Sequence, residues 1–318
     1  MAPPGVTVDT AVRVGSLSLR HPVMTASGTA GYGTELAGYL DLAALGAVVT
    51  KSLAAFAWDG NPAPRLHPTP HGMLNSVGLQ GPGVASWLAH QVPQLEAAGA
   101  TIVCSIWGRS VDDYAAAAEL LAAAPPSVVA VEVNLSCPNL SGHGRTGMFA
   151  HDPQLAAAAI AATAVCARPR WAKLSPNTDR LVDVAGAVAE AGAEAVTLIN
   201  TVLGMVYDRT TFAPALGSGH AGGGLSGAAI HPVAVRAVHD VHAAVPELPI
   251  VGVGGVSSGW DAVELLLAGA AAVQVGTATF AEPRACARIA AEIERWAAAH
   301  GLARLAEIPG IGGPRAVG

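Results

Sequence analysis

One cysteine, two lysines and a handful of asparagines stand out as residues that could do chemistry. Cys137 lies in the segment NLSCPNLSGHGRTG, between Asn134 and Asn139, with Pro138 stiffening the turn and several glycines following. A thiol flanked by amides can act as a nucleophile or a general base. No histidine or aspartate is spaced to make a protease-like triad with it. Cys104, Cys166 and Cys286 fall in apolar or alanine-rich runs and read as buried structural thiols. Of the 17 basic residues only Lys51 and Lys173 are lysines, and both end apolar runs, AVVTK and RWAK. Where the chain writes arginine nearly everywhere else, a lysine at a strand end points to a compact point charge with a task. Four of the six asparagines, Asn75, Asn134, Asn139 and Asn200, fall at predicted strand ends or in long loops. Their side-by-side donors and acceptor suit a planar ligand with alternating N–H and C=O groups, such as a pyrimidine ring.

Apolar runs at 22–26, 47–51, 101–107, 128–135, 171–174, 195–200, 250–254 and 272–275 predict eight strands. Helical patterns separate or follow them at 35–45, 84–98, 111–123, 153–167, 179–191, 232–244, 258–268 and 283–300. Several of these end in glycine, as in EAAGA, EAGAEAV and LAGAAAV, the expected stop before a strand. Eight nearly continuous apolar strands, each followed by a helix, predict an α/β fold, a (β/α)8 barrel. An opening alternation over residues 7–22 reads as an N-terminal hairpin that could plug the barrel bottom. No linker or low-complexity segment divides residues 1–318, so one domain is expected. The stretches 54–82, 136–152 and 201–230 read as irregular; they follow strands two, four and six, on the face where barrel enzymes build their sites.

Strand seven ends VGVGGVSSG and strand eight VQVGTATF. Glycines after the last two barrel strands are the usual place for a phosphate, so Gly254, Gly255, Gly276 and Thr277 are expected to present backbone N–H groups to one. The loops GTAGYG (28–33) and GGGLSG (222–227) let backbone approach a flat ligand, but neither has the strand-then-helix setting of a dinucleotide fingerprint. His239 and His242 fall on a helical stretch and read as surface residues, not a metal pair. The cysteines lack CxxC spacing, which predicts no metal or iron–sulfur site in this chain and a reducing, cytosolic setting. A formal net charge of -6 disfavours a nucleic-acid groove or an anionic membrane surface. The apolar runs are too short for a membrane span, and the opening residues lack the pattern of a signal peptide.

From about residue 15 to 280 the chain resembles the class 1 dihydroorotate dehydrogenases. TASGT, TKS, NSVGLQGPG, EVNLSCPN, KLSPN, LINTVLGM, GGGLSG, GVGGV and VGTATF occur in order along the barrel loops. Cysteine at 137, where the membrane-associated class carries serine, points to class 1, and LINTVLGM resembles the B type. The resemblance implies oxidation of (S)-dihydroorotate to orotate in pyrimidine biosynthesis. It implies an FMN held by Ala26, Ser27, Lys51, Ser52, Asn134, Lys173, Gly227, Gly254, Gly255, Gly276 and Thr277. Substrate would lie against Lys51, Asn75, Gly78, Leu79, Asn134, Asn139, Asn200 and Thr201. Cys137 would take the C5 proton while hydride leaves C6, with Lys173 and Lys51 as further catalytic residues. The B type further implies a homodimer core within a heterotetramer, whose electron-transfer subunit carries FAD and a [2Fe–2S] cluster and passes electrons to NAD+; fumarate is the A-type acceptor. Two segments depart from the pattern: the middle of 139–152, and Gly81, which replaces an expected polar residue. Competing readings are a dihydropyrimidine dehydrogenase-like reductase, a tRNA dihydrouridine synthase (disfavoured by the acidic balance), a Schiff-base aldolase using Lys173, and a non-catalytic scaffold barrel.

Overall fold

A computed structural model of the protein describes residues 8–136 and 148–312. Cys137 and Asn139 lie outside the described residues. The chain opens on the predicted hairpin, β1 (Val12–Val14) and β2 (Leu17–Leu19), paired antiparallel. The parallel strands follow: β3 (Val23–Thr25) and β4 (Val48–Val49), then, beyond an inserted hairpin, β7 (Ile102–Ile106), β8 (Val128–Asn134), β9 (Arg170–Lys173) and β10 (Ala195–Leu198). After a second insertion come β13 (Ile250–Val253) and β14 (Ala272–Val275). Their order, β3-β14-β13-β10-β9-β8-β7-β4, is a (β/α)8 barrel laid open at one seam. Thr25 closes that seam. Its N–H donates to Ala47 O at 3.2 Å, and its hydroxyl donates to Val49 O at 3.2 Å and accepts from Val49 N at 2.8 Å.

The hairpin does cap one end of the barrel. Val12, Val14 and Leu19 pack with Met24, Val49, Val103, Trp171 and Val251 in a cluster of their own, separate from the larger core between strands and helices. Burial of these side chains on both faces of the sheet explains why the strands read as unbroken apolar runs instead of alternating.

The helices are α1 (Val84–His90), α2 (Val92–Ala97), α3 (Val111–Leu121), α4 (Pro153–Ala162), α5 (Leu181–Glu190), α6 (His231–Ala244), α7 (Gly259–Leu267), α8 (Ala278–Ala281), α9 (Ala285–Ala299) and α10 (Ile308–Ile311). Their starts follow local chemistry. The Ser110 hydroxyl accepts from Asp113 N, and Asp152 accepts from the amides of Gln154 and Leu155 just ahead of Pro153. Ser258 and Asp261 form a reciprocal capping box. Gly99, Gly192 and Gly269 take positive φ after α2, α5 and α7, as the three glycine-ended repeats predict.

Three of the expected helices need correction. Residues 35–45 form turns and a short 3₁₀ segment, Leu42–Ala44, because Glu35 turns back to accept the amides of Tyr32 and Gly33. The stretch 84–98 is two helices, since Pro93 has no N–H to continue the ladder through Gln91. After α4, residues Thr163–Cys166 tighten to 3₁₀, with the Thr163 hydroxyl donating to Ile160 O at 2.7 Å.

The stretches 54–82 and 201–230, expected to be irregular, join in one small antiparallel sheet: β5 (Leu66–Thr69), β6 (Gly72–Asn75), β11 (Val202–Gly204) and β12 (Gly223–Ser226), in the order β11-β12-β6-β5. Its strands are short and rich in glycine, so they carry little apolar periodicity. Their pairing is long-range, with Asn75 opposite Gly224.

Candidate active site

One cleft, open at its mouth, lies between the C-terminal ends of the barrel strands and the small sheet. Every predicted site residue within the described part of the chain lines it. Ala26, Ser27, Lys51 and Ser52 come from the first two barrel strands and the residues after them; Asn134 and Lys173 end β8 and β9. Asn200 and Thr201 follow β10, while Gly254, Gly255, Gly276 and Thr277 follow β13 and β14. Asn75 and Gly227 belong to the ends of β6 and β12, and Gly78 and Leu79 to the segment beyond β6. Gly28, Thr29 and Ser226, from the two glycine-rich loops expected to approach a flat ligand, also line it, and Leu66, Met73, Val77, Ile199, Ile230, Val253 and Phe280, which sequence reasoning had not singled out, complete the wall. Most of these are apolar or small and carry no chemical signal of their own.

The amides form a bonded set. Asn134 Nδ2 donates to Ser52 Oγ at 3.0 Å, and its Oδ1 accepts from the backbone and hydroxyl of Ser136 at 3.2 Å. Asn200 Nδ2 donates to Ser136 Oγ at 2.8 Å and approaches Asn134 Oδ1 at 3.3 Å. Tyr114 Oη donates to Asn134 O at 2.7 Å and fastens the end of β8. These bonds fix which edge of each amide is committed to protein. Asn177, from KLSPN, is a positioning residue: its Nδ2 donates to Thr201 O at 3.0 Å and its Oδ1 accepts from Leu203 N at 2.9 Å.

Lys173 is buried, and its Nζ donates to Ser27 Oγ at 3.0 Å. The side of Nζ away from the cleft faces Glu132 Oε1 at 3.6 Å. Glu132 is fully buried and was missed, although a glutamate inside the apolar run VVAVEV is itself a signal. Lys51 lines the cleft with its backbone N–H bonded to Gly31 O.

At the far wall the N–H groups of Gly255, Gly276 and Thr277 donate to no acceptor among the described residues. Gly255 has φ +70, and a Cβ there would meet His231 Cβ at 2.7 Å and Gly227 O at 2.9 Å. His231 Nδ1 bonds Gly254 O at 2.9 Å and so holds the same turn from behind. Thr277 Oγ1 donates to Ser226 Oγ at 2.8 Å, tying the turn after β14 to the small sheet. Free backbone donors at a glycine turn fit the phosphate expected there. Opposite, Gly78 and Leu79 both have positive φ, 73° and 61°. Trp58 Nε1 donates to Gly78 O at 2.9 Å and Asn61 N to Val77 O, strapping this strained segment in place. At Gly81, where the sequence departs from the expected polar residue, a Cβ would stand 3.0 Å from the Tyr32 hydroxyl, a tight contact.

The remaining cysteines are remote from this chemistry. Cys104, Cys166 and Cys286 are buried free thiols, and burial raises each, Cys286 to about 12.

A (β/α)8 barrel with its cleft at the strand C-termini, lined by two lysines, a bonded amide set and a donor-rich glycine turn, defines a class: barrel enzymes that bind a phosphate-bearing planar cofactor beside a small polar substrate. The model of one family, dihydroorotate dehydrogenase, matches residues 10–296. Curated relatives include the proteins of Pelobacter propionicus (45% identical over 95% of this chain and 98% of the relative) and Geobacter sulfurreducens (44%, over 95% and 97%). A third, from Desulforudis audaxviator, is 45% identical over 95% of this chain and 97% of its own. All three are named dihydroorotate dehydrogenase B (NAD(+)), catalytic subunit. The chain belongs to the dihydroorotate dehydrogenase family and is a flavin-dependent oxidoreductase that converts dihydroorotate to orotate. Among the described residues, no helix is long and apolar enough to cross a membrane.

Proposed function

We propose that the chain is the FMN-binding catalytic barrel of a B-type, NAD+-linked enzyme working in the cytoplasm, and that residues 1–318 act as one domain. The observation that carries this reading is the arrangement of one cleft, with free N–H donors of Gly255, Gly276 and Thr277 at one wall and Lys173 Nζ on Ser27 at another. FMN has a phosphate for the first and an electron-poor ring edge for the second. When bound it supplies a hydride acceptor for C6 of the substrate.

The chain supplies the rest. Gly254, Gly255, Gly276 and Thr277 hold the phosphate, with Gly227 behind them. Ala26, Ser27, Ser52 and Asn134 line the ring site, and Lys173 and Lys51 place positive charge where reduction adds negative charge. Asn75, Asn139, Asn200 and Thr201 bind the dihydroorotate ring and carboxylate, with the backbone of Gly78 and Leu79. Cys137 accepts the C5 proton, a task suited to a thiol whose ordinary pKa is within a unit or two of neutrality.

The relatives named as catalytic subunits support a second subunit. In this proposal it carries FAD and a [2Fe–2S] cluster, and two copies of this chain form the core of a heterotetramer. The test is an anaerobic visible spectrum of the purified chain before and after adding dihydroorotate. A flavin band near ~450 nm that bleaches is expected. A band that persists would remove dihydroorotate as reductant, and failure to take up FMN would remove the cofactor assignment.

A further inference from the structure

The carboxylate of Glu132 is an expensive group to keep inside a barrel, and no part of it reaches solvent. It stands on β8 two residues before Asn134, on the same side of the strand, and so one layer below the cleft. Its Oε2 accepts from Gln274 Nε2 at 2.8 Å. Gln274 is on β14, four strands away around a barrel of eight, so the bond crosses the interior. That tether aims Oε1 at Lys173 Nζ, 3.6 Å away, while leaving Oε1 without a hydrogen bond. Lys173 is therefore suspended between Ser27 on the cleft wall and an anion underneath.

The polar pattern is asymmetric. The neutral Gln274 amide meets only Oε2, and among the described residues the one cation beside the carboxylate is Lys173, on whose charge it draws. Negative charge arriving from the cleft must share the same ammonium. We propose that Glu132 is a positioning residue that fixes Lys173 Nζ at the cleft wall and offsets part of its charge, thereby setting the reduction potential of the bound flavin. This rests on the reading that FMN lies against Lys173.

Glu132→Gln keeps the side-chain length and can still accept the Gln274 bond, but it removes the negative charge. In the FMN-loaded variant, titrated anaerobically against redox dyes, the equilibrium between oxidised and reduced flavin should move toward the reduced form by about tenfold or more. For a two-electron couple that is ~30 mV more positive. Affinity for oxidised FMN should change much less, which a purely structural role would not predict. A potential that is unchanged or more negative overturns the inference. Gln274→Met provides a second reading should the first variant fail to fold. It frees the carboxylate to close on Lys173, so the potential should become more negative, and an unchanged value again overturns the inference. A wild-type chain that neither binds FMN nor is bleached by dihydroorotate would instead overturn the functional reading beneath it.

Discussion

Lys173 shows at the residue scale why a side chain's neighbours matter as much as its type. Its Nζ is fixed by Ser27 and Glu132 before any ligand arrives, so its charge is preorganised instead of being recruited from solvent. Lys173→Ala should slow flavin reduction by about 10²-fold or more, or weaken FMN binding, since one preorganised donor at a developing charge is worth that much. Stopped-flow reduction and FMN titration check this, and wild-type values for both would remove Lys173 from the site. For Cys137 the expectation is kinetic. Cys137→Ser should keep FMN bound but lose about 10²–10⁴-fold in the reductive half-reaction, the usual worth of a positioned base. Its residual rate should rise with pH because a hydroxyl is a far weaker acid than a thiol. A flat pH profile, or an unchanged rate, would count against the cysteine as base.

At the scale of elements, the glycine turns after β13 and β14 differ in how firmly the backbone is committed. Gly255 adopts φ +70 with His231 and Gly227 crowding the missing side chain. At Gly276, φ is not in the left-handed region and the nearest contact to a Cβ would be Ala26 Cβ at 3.3 Å. Gly255→Ala should therefore cost about 1–2 kcal/mol from backbone strain and weaken FMN binding by about tenfold. Gly276→Ala should be milder in both. Urea unfolding and FMN titration of the two variants decide the order, and the reverse ranking would mean that the Gly255 turn is not the phosphate cradle. These turns were legible in advance because glycine pairs at strand ends have a definite meaning in a barrel. The sheet of β5, β6, β11 and β12 was not. Its residues Leu66, Met73 and Asn75 reach the cleft only because strands from two distant insertions pair, and neither insertion has an apolar alternation to announce it.

For the whole molecule, His21 links the barrel bottom to pH. Burial lowers it from its usual 6.5 to about 4. Its Nδ1 accepts the Val23 N–H at 3.0 Å, which requires a lone pair there and favours the neutral ring. Glu294 Oε1 stands 3.5 Å from Nε2, but that carboxylate is half exposed and screened, so burial outweighs it. The unfolded chain binds the proton more readily than the folded one, so this contribution is complete above about pH 6.5. It is lost as pH falls from there to about 4, and amounts to about 3 kcal/mol over that window. His21→Asn, which can still accept the Val23 amide, should flatten the decline in urea-unfolding stability between pH 6.5 and 4. An identical decline in wild type and variant would assign the acid sensitivity elsewhere.

The barrel, the hairpin plug, the strand-end lysines and the glycine turns were all readable from residue order, because each rests on local periodicity or on one residue type at one kind of position. Family membership was readable for a related reason, as nine short segments each sit at a functional loop. What only the tertiary structure decided is long-range: Glu132 bonded across the barrel to Gln274 beneath Lys173, His231 behind the Gly254–Gly255 turn, and Asn177 holding Thr201 in place. Partners at such separations leave no trace in local spacing, since folding alone brings them within hydrogen-bond reach.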